Sequence, residues 1–376
     1  MRIVHVRFFA LLALATPCSC LAAIQDEDIA KFNKDYAEIR ELISTGQLRK
    51  ATKGALAATP LAEIVFNSDP ENLANYYYLV AQLQASQPWS GTALETLPIA
   101  ESAVEMTSNL YGNNSDEALR AHGFLIRILS YATTRTSAPK EHQRLSSFLN
   151  DQKKEALRNV RKVETAGAAD LYLSLSGSAR TVSKAKKYSD AASQIFASIY
   201  GAKSKEALQT RVASAKFLSR KRQISELSSI LDSIEQEENL LLLKAGIHQK
   251  LAVLHVLSGK EETSMRHNIA ANEAFELLGQ VKAIVASEYL PIVKANPKYP
   301  RKAQTRGIEG YVILEYQVDE SGRAIDPKVI EAKPRGMFDK AAIEAAKLYR
   351  YLPKIKDGQP VAVSGVKTRI TFKMAD

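Results

Sequence analysis

Cysteine is scarce in this sequence of 376 residues, which contains only Cys18 and Cys20. Both lie in an N-terminal segment with a short basic start and an apolar run at residues 8–15. The small residues that follow, up to Ala22, give the cleavage pattern of a secretory signal peptide, predicted at residues 1–22. Cleavage there removes both cysteines, so the mature chain is predicted to lack disulfide and thiolate chemistry. Lipid attachment is not expected, because neither cysteine follows a Leu-small-small triplet.

Long hydrophobic runs are also lacking. The run at residues 8–15 is far shorter than the roughly 20 residues that span a bilayer, which disfavours the alternative of a membrane anchor. The best later stretch, Asn239–Gly259, is interrupted by Lys244, His248 and two further polar residues. We therefore expect export to the periplasm of a Gram-negative cell envelope, with no stable membrane span after cleavage.

The sequence has none of the common catalytic motifs: no phosphate-binding glycine loop, no His-Glu-x-x-His and no nucleophile elbow. His248 and His255 lie seven residues apart and could share a helix face as a metal pair. No carboxylate at ligand spacing supports that pair, so ordinary helix-surface histidines are the preferred interpretation. The single tryptophan, Trp89, is interpreted as a packing residue. We predict no enzyme, no cofactor and no metal site.

Charge is unevenly distributed. The net charge is +10, and residues 288–376 carry 17 Lys and Arg against 11 Asp and Glu. A basic domain can attract nucleic acid, anionic lipid or an acidic protein. Because the chain is predicted to be exported, nucleic acid is not an expected partner. A solvated basic surface without a specific target remains an equal alternative.

Proline is absent between Pro139 and Pro291, and residues 26 to about 283 have helical periodicity. Within this region Ala103–Leu119 and Ala192–Leu208 share seven aligned residues, including a Tyr-Gly pair and a Ser-x-Glu-Ala-Leu end. The shared pattern predicts a helix, a glycine stop, a polar turn and a second helix. Asn114 is the predicted N-cap of that second helix.

The motif resembles the longer tetratricopeptide repeats. The offset of 89 residues would fit two such repeats, with helices at Lys153–Gly167 and Asp170–Lys187 in a degenerate copy between them. Ile247–Ser258 and Glu261–Leu278 are the predicted final pair. A solenoid of stacked helix pairs is therefore expected at residues 23–283, with an irregular helical bundle as the alternative. Such solenoids usually bind peptides or proteins, and a purely structural spacer is an equal possibility.

From Tyr289 onward the pattern changes to that of a small α/β domain. Pro291–Pro300 is predicted to be extended, and a linker is placed at residues 284–299. The predicted elements after it are a short helix Arg301–Arg306, strands Val312–Val318 and Ala324–Ala332, a helix Met337–Tyr351 and a last strand Val366–Met374. A right-handed crossover places the last strand beside the first, parallel to the second and at an edge of the sheet.

Several motifs in this region resemble the TonB C-terminal domain. They are Asn296-Pro297-x-Tyr299-Pro300, Gly307-Ile308-Glu309-Gly310-x-Val312, Val318-x-x-x-Gly322-Arg323, Ala332-Lys333-Pro334-x-x-Met337-Phe338-Asp339, Arg350-Tyr351-x-Pro353, Val363-x-Gly365-Val366 and Arg369-Ile370-x-Phe372. The resemblance covers about residues 288–376, and the domain proper is placed at 300–376. Tyr349 stands where many relatives have tryptophan. The expected fold class is thus multidomain, an all-α tetratricopeptide-like solenoid followed by a small α/β domain with a three-stranded sheet.

The resemblance implies protein binding linked to transmembrane transport. In that family the domain lies in the periplasm and adds a short peptide, the TonB box of an outer-membrane transporter, as a strand beside its last strand. The residues predicted to bind such a segment are Val366, Lys367, Thr368, Arg369, Ile370, Thr371, Phe372 and Lys373, with Tyr299 and Pro300 nearby. A signal peptide and a helical domain stand where TonB transducers have an anchor and a proline-rich spacer. The alternative is therefore an envelope scaffold whose helical repeats bind protein partners, while the C-terminal domain docks or dimerises.

Overall fold

The computed structural model describes residues 26–87, 91–235, 237–278, 291–356 and 358–374. The predicted signal peptide with its two cysteines, Trp89 and part of the predicted linker lie outside the described residues. The chain forms two compact units, Met1–Phe217 and Leu218–Asp376. Among the described helices, none is both long and apolar enough to cross a bilayer.

The described part of the first unit is helical. Its α-helices are α1 Asp26–Ser44, α2 Leu48–Ala57, α3 Thr59–Val65, α4 Pro70–Ser86, α5 Ala93–Tyr111, α6 Asp116–Arg135, α7 Pro139–Asn159, α8 Ala166–Gly177, α9 Val182–Tyr200 and α10 Lys205–Ser214. Helices that follow each other pack together in the series α4 to α6 and again from α8 to α10, while α6 also packs on α4 and α8. That these helices form tetratricopeptide-like repeats stays a prediction.

The two copies of the repeated motif have the same local structure. Gly112 and Gly201 end α5 and α9 with φ of 88° and 92°, a region that favours glycine. Ser115 and Ser204 then cap α6 and α10, because their side chains accept hydrogen bonds from the backbone N–H three residues later. The prediction that Asn114 caps α6 is wrong. Ser115 has the extended backbone that an N-cap requires, and Asn114 lies one residue too early.

The predicted helix limits between the two motif copies are also wrong. The segment predicted as Lys153–Gly167 contains the end of α7 and the start of α8, and Asp170–Lys187 contains the break between α8 and α9. Thr165 and Thr181 explain both boundaries, since each caps a new helix through its side-chain oxygen. A threonine in an alanine-rich segment is compatible with a helix interior, and so periodicity alone did not reveal the breaks.

The second unit contains three longer helices and the C-terminal sheet. Its elements are α11 Arg220–Ser233, α12 Leu241–Val256, α13 Glu261–Leu277, α14 Arg301–Thr305, β1 Gly310–Val318, β2 Ala324–Lys333, α15 Asp339–Ala346, β3 Lys354–Lys356, β4 Gln359–Val361 and β5 Val363–Phe372. The main sheet has the order β2-β1-β5, with both neighbours antiparallel to β1. The predicted fold class is confirmed in its order, an all-α region followed by a small α/β domain with a three-stranded sheet, and so is the position of the last strand beside the first, at an edge.

Three details of this unit differ from the predictions. The short β3–β4 ladder was not predicted. Helix α15 is shorter than Met337–Tyr351, because Arg350 leaves it to exchange backbone hydrogen bonds with Val293 at 3.0 and 3.1 Å. For the same reason Leu348, which belongs to the predicted helix Met337–Tyr351, lies beyond the end of α15 and is 59% exposed.

The described residues 291–299 contain no helix and reach the domain core through Ala295 and Tyr299.

The core of the sheet domain is aromatic. Tyr316, Tyr349 and Tyr351 are buried together, and the hydroxyl groups of Tyr316 and Tyr351 are hydrogen bonded to each other. The hydroxyl of Tyr349 has no hydrogen-bond partner among the described residues, and burial raises the pKa of Tyr349 to about 12. Burying an unpaired hydroxyl reduces stability, because the bond to water is lost without replacement.

We therefore expect Tyr349→Phe to stabilise the C-terminal domain by about 1 kcal/mol. Tyr351→Phe is the matched control, since it removes a hydroxyl that is hydrogen bonded, and it should destabilise the domain by about the same amount. Amide hydrogen exchange of β1 measures both free energies of opening. Equal losses of protection in the two variants would contradict the assignment of Tyr349 as the unpaired hydroxyl.

Candidate partner-binding edge of the C-terminal sheet

Strand β5 presents two different faces. Ile370 and Phe372 are buried and Val366 is half-buried on the core side, whereas Lys367 and Arg369 are exposed on the other. This alternation is the period-two pattern of a strand with one solvated face. The predicted site residues Val366, Lys367, Thr368, Arg369, Ile370, Thr371 and Phe372 all lie in β5, but Lys373 follows its last residue.

The solvated face of the sheet is an ordered row of charges. The ammonium of Lys367 lies 3.4 Å from the carboxylate of Glu315 on β1. The guanidinium of Arg369 lies 3.8 Å from the centroid of the Tyr311 ring, a cation–π contact. Tyr311 in turn donates a hydrogen bond to Glu331 on β2, which raises the pKa of Tyr311. The basic side chains of β5 are therefore held in place from β1.

The two edges of the sheet are not equivalent. Residues 366–372 of β5 pair with residues 310–316 of β1 without interruption. The opposite edge, β2, has two register shifts against β1 and contains Asp326 with φ of 50° followed by Pro327. Proline lacks the amide donor and irregular edges resist further pairing. Of the two edges, β5 is the one suited to accept another strand.

Tyr299 and Pro300 lie behind this edge. The Tyr299 hydroxyl donates to the carbonyl oxygen of Ile308 at 2.8 Å, and its ring meets those of Phe338 and Phe372 edge-on at 5.7 and 5.8 Å between centroids. Tyr299 therefore braces β5 from the core side. The Pro300 carbonyl accepts hydrogen bonds from the backbone N–H groups of Ala303 and Gln304 in α14, a local role at the start of this helix.

One contact at this edge was missed from the sequence. The carboxylate of Glu309, just before β1, accepts a hydrogen bond from the backbone N–H of Met374 at 2.7 Å. It holds the chain beyond the last residue of β5 close to the start of β1. Glu309 belongs to the Gly-Ile-Glu-Gly motif, so the motif contained the signal, but the pairing register was needed to give it a role.

The comparisons with known proteins concern this same region. The family model described as "Gram-negative bacterial TonB protein C-terminal" matches residues 295–374, which confirms the family predicted for the domain. The chain is similar to Protein TonB of Vibrio cholerae, with 37% identity over 24% of this chain and 37% of the relative. It is also similar to Protein TonB of Pseudomonas aeruginosa, with 37% identity over 22% and 24% of the two chains. It is 34% identical to Protein TonB of Escherichia coli K12, over 24% of this chain and 35% of the relative.

The chain thus spans between about a quarter and about two fifths of the length of these relatives. A solved structure of the TonB2 protein from Vibrio anguillarum is 35% identical and is matched over 24% of this chain and 87% of that one, with a TM-score of 0.20.

Proposed function

We propose that this chain binds an extended peptide segment of an envelope partner by strand addition to β5, because residues 295–374 form a TonB C-terminal domain. The segment belongs to an outer-membrane transporter, and binding serves TonB-type transmembrane transport. The observation that carries the proposal is the uninterrupted pairing of residues 366–372 of β5 with β1, beside an outer edge that no described strand occupies.

Strand addition to β5 has a physical basis in the backbone and in charge. Every second residue of an edge strand directs its N–H and C=O away from the sheet, and an incoming strand pairs with them. The added strand would place alternate side chains beside Lys367, Arg369 and Thr371. Acidic side chains at those positions would form favourable cross-strand pairs. The preferred segment is therefore extended, free of proline and acidic on one face.

The location proposed for this function is the periplasm, after export and removal of residues 1–22. The N-terminal residue of the protein recovered from cells decides this point. A mature chain that begins near Ala23 supports it, and a chain that retains Met1 in the membrane fraction contradicts it.

Titration of transporter N-terminal peptides into the isotope-labelled protein tests the proposed surface. Amide chemical shifts should change along β5 and at the facing residues of β1. Shifts confined to β2 or α15, with residues 363–372 unchanged, would show that another surface binds.

We expect Arg369→Glu to weaken peptide binding by about fivefold, which corresponds to about 1 kcal/mol for one unfavourable cross-strand pair. Lys328→Glu is the matched control, because Lys328 is an exposed lysine on β2 that pairs in register with Glu315, as Lys367 does on β5. The control should leave affinity within about twofold of the wild type. Equal weakening by both variants would indicate a general effect of net charge.

A second candidate is a scaffold in which the helices of the first unit bind the protein partner. It is favoured by the two motif copies, which share glycine stops and serine caps. The same variants separate the two candidates. A partner held by the helices remains bound to Arg369→Glu at wild-type affinity, whereas a partner held by β5 does not.

A further inference from the structure

Three histidines of the second unit are in contact. The Nδ1 atoms of His248 on α12 and His267 on α13 are 2.9 Å apart, within hydrogen-bond distance. The His267 ring also stacks on that of His255, with 5.4 Å between centroids and 8° between planes. These residues are named the histidine cluster. His255 is 6% exposed, so the interpretation as an ordinary helix-surface histidine is wrong for His255, while His248 is half-buried.

The histidine cluster is arranged for neutral rings. A hydrogen bond between two Nδ1 atoms needs one donor and one acceptor, so it is lost when both nitrogens are protonated. Nδ1 of His255 is buried with no partner among the described residues, and a proton there would bring an unsatisfied charge into the helix pair. Within the described residues, no three His, Cys, Asp or Glu side chains are placed to hold a metal ion.

The charges around the histidine cluster are mostly positive. Three cations, Lys244, Lys260 and Arg266, disfavour protonation of the histidine rings. Among the described residues, the carboxylate of Glu273 favours protonation of His248. On the side of α11, Arg220 donates to the Leu257 carbonyl just after α12 and adds another cation.

Burial lowers the pKa of all three histidines, and the other two rings and Arg266 contribute to lowering that of His267 to about 4.

The same helix pair contacts the C-terminal domain. Asn268, the residue after His267, is buried and donates from Nδ2 to the Pro353 carbonyl at 2.7 Å. Glu261, at the start of α13, forms an ion pair with Arg323 in the β1–β2 turn. A change in the packing of α13 against α12 therefore acts directly on two contacts with the sheet domain.

We propose that the histidine cluster is a pH-sensitive switch, in which protonation separates α13 from α12 and releases the contacts of α13 with Pro353 and Arg323. A histidine whose pKa is lowered by folding binds more protons in the unfolded state, so its stabilising effect is complete above about pH 6.5 and is lost as the pH falls toward 4. The switch does not depend on the proposed strand addition.

Amide hydrogen exchange of the full chain at pH 7.5 and pH 5.0, corrected for the intrinsic rates, tests the switch. Protection of α12 and α13 should fall by about tenfold or more at pH 5.0 relative to β1 and β5, the factor that one pKa unit of differential protonation produces. Strands β1 and β5 contain no histidine and serve as the internal reference.

Variants then show which residues cause the pH dependence of protection. In the double variant His248→Gln and His267→Gln the two substituted side chains keep amide donors and acceptors but cannot titrate, so only His255 of the histidine cluster still titrates and most of this pH dependence should be lost. His142→Gln, on α7, is the control and should keep it. Asn268→Ala should expose the segment around Pro353 equally at both pH values.

Two results would overturn the proposal. One is wild-type protection of α12 and α13 that does not change between the two pH values. The other is a pH dependence that is as large in the double variant as in the wild type. If the double variant does not fold, the wild-type imidazole resonances decide: a His267 pKa near 6.5 instead of below about 5 overturns the switch.

Discussion

Gly322→Ala is expected to destabilise the C-terminal domain by roughly 3 kcal/mol or more. Gly322 has φ of 83°, a backbone conformation that strains any residue with a Cβ atom. An alanine Cβ would also lie 2.2 Å from the carbonyl oxygen of Tyr351. This close approach is needed because the Gly322 carbonyl accepts a hydrogen bond from the Tyr351 N–H at 2.8 Å. The turn between β1 and β2 is thereby fastened to the segment that follows α15.

Gly365→Ala is the matched control for this prediction. Gly365 has a similar φ of 73°, but nothing lies within 4 Å of the position that its Cβ would occupy. The control therefore reports backbone strain alone, about 1 kcal/mol. Amide hydrogen exchange of β1 measures the loss of stability in both glycine variants. If the two variants lose the same protection, the contact between Gly322 and Tyr351 contributes nothing and strain accounts for the whole effect.

Local patterns predicted the elements that have one buried face. Val312, Leu314, Tyr316 and Val318 alternate with less buried residues, and β1 is buried in that alternation. The hairpin and the edge position of the last strand followed from turn chemistry and crossover handedness. The pairing of Arg350 with Val293 could not be predicted in this way, because it joins residues 57 positions apart, and it determines where α15 ends.

The candidate site, like the fold, could be predicted from the sequence only in part. Alternation located the edge strand and its basic face, since both depend only on residues close in sequence. The role of Tyr299 depends on Phe338 and Phe372, which only the tertiary fold brings together. The histidine cluster was missed for the same reason. His248 and His255 share one helix, but His267 reaches them from the next.

The second large effect is expected from proline in β5. Residues in a strand direct their backbone N–H groups alternately to one side and the other. Thr368 and Thr371 are three residues apart, so their N–H groups face opposite edges of β5. Proline lacks this donor, so one substitution disrupts pairing with β1 and the other disrupts the outer edge. Both threonines lie within the uninterrupted part of the β1–β5 ladder, which makes them a matched pair.

The two proline variants should therefore fail in different ways. The inward variant should lose about 2 kcal/mol of domain stability, because it leaves a carbonyl group of β1 without its ladder hydrogen bond. The outward variant should keep wild-type amide protection in β1 and bind the peptide at least tenfold more weakly, because the partner strand loses a backbone hydrogen bond at its centre. Amide exchange identifies which variant is which, and calorimetric titration of the folded variant gives its affinity. If the variant that keeps its fold also keeps wild-type affinity, the partner does not add as a strand to β5, and the helices of the first unit become the surface to test.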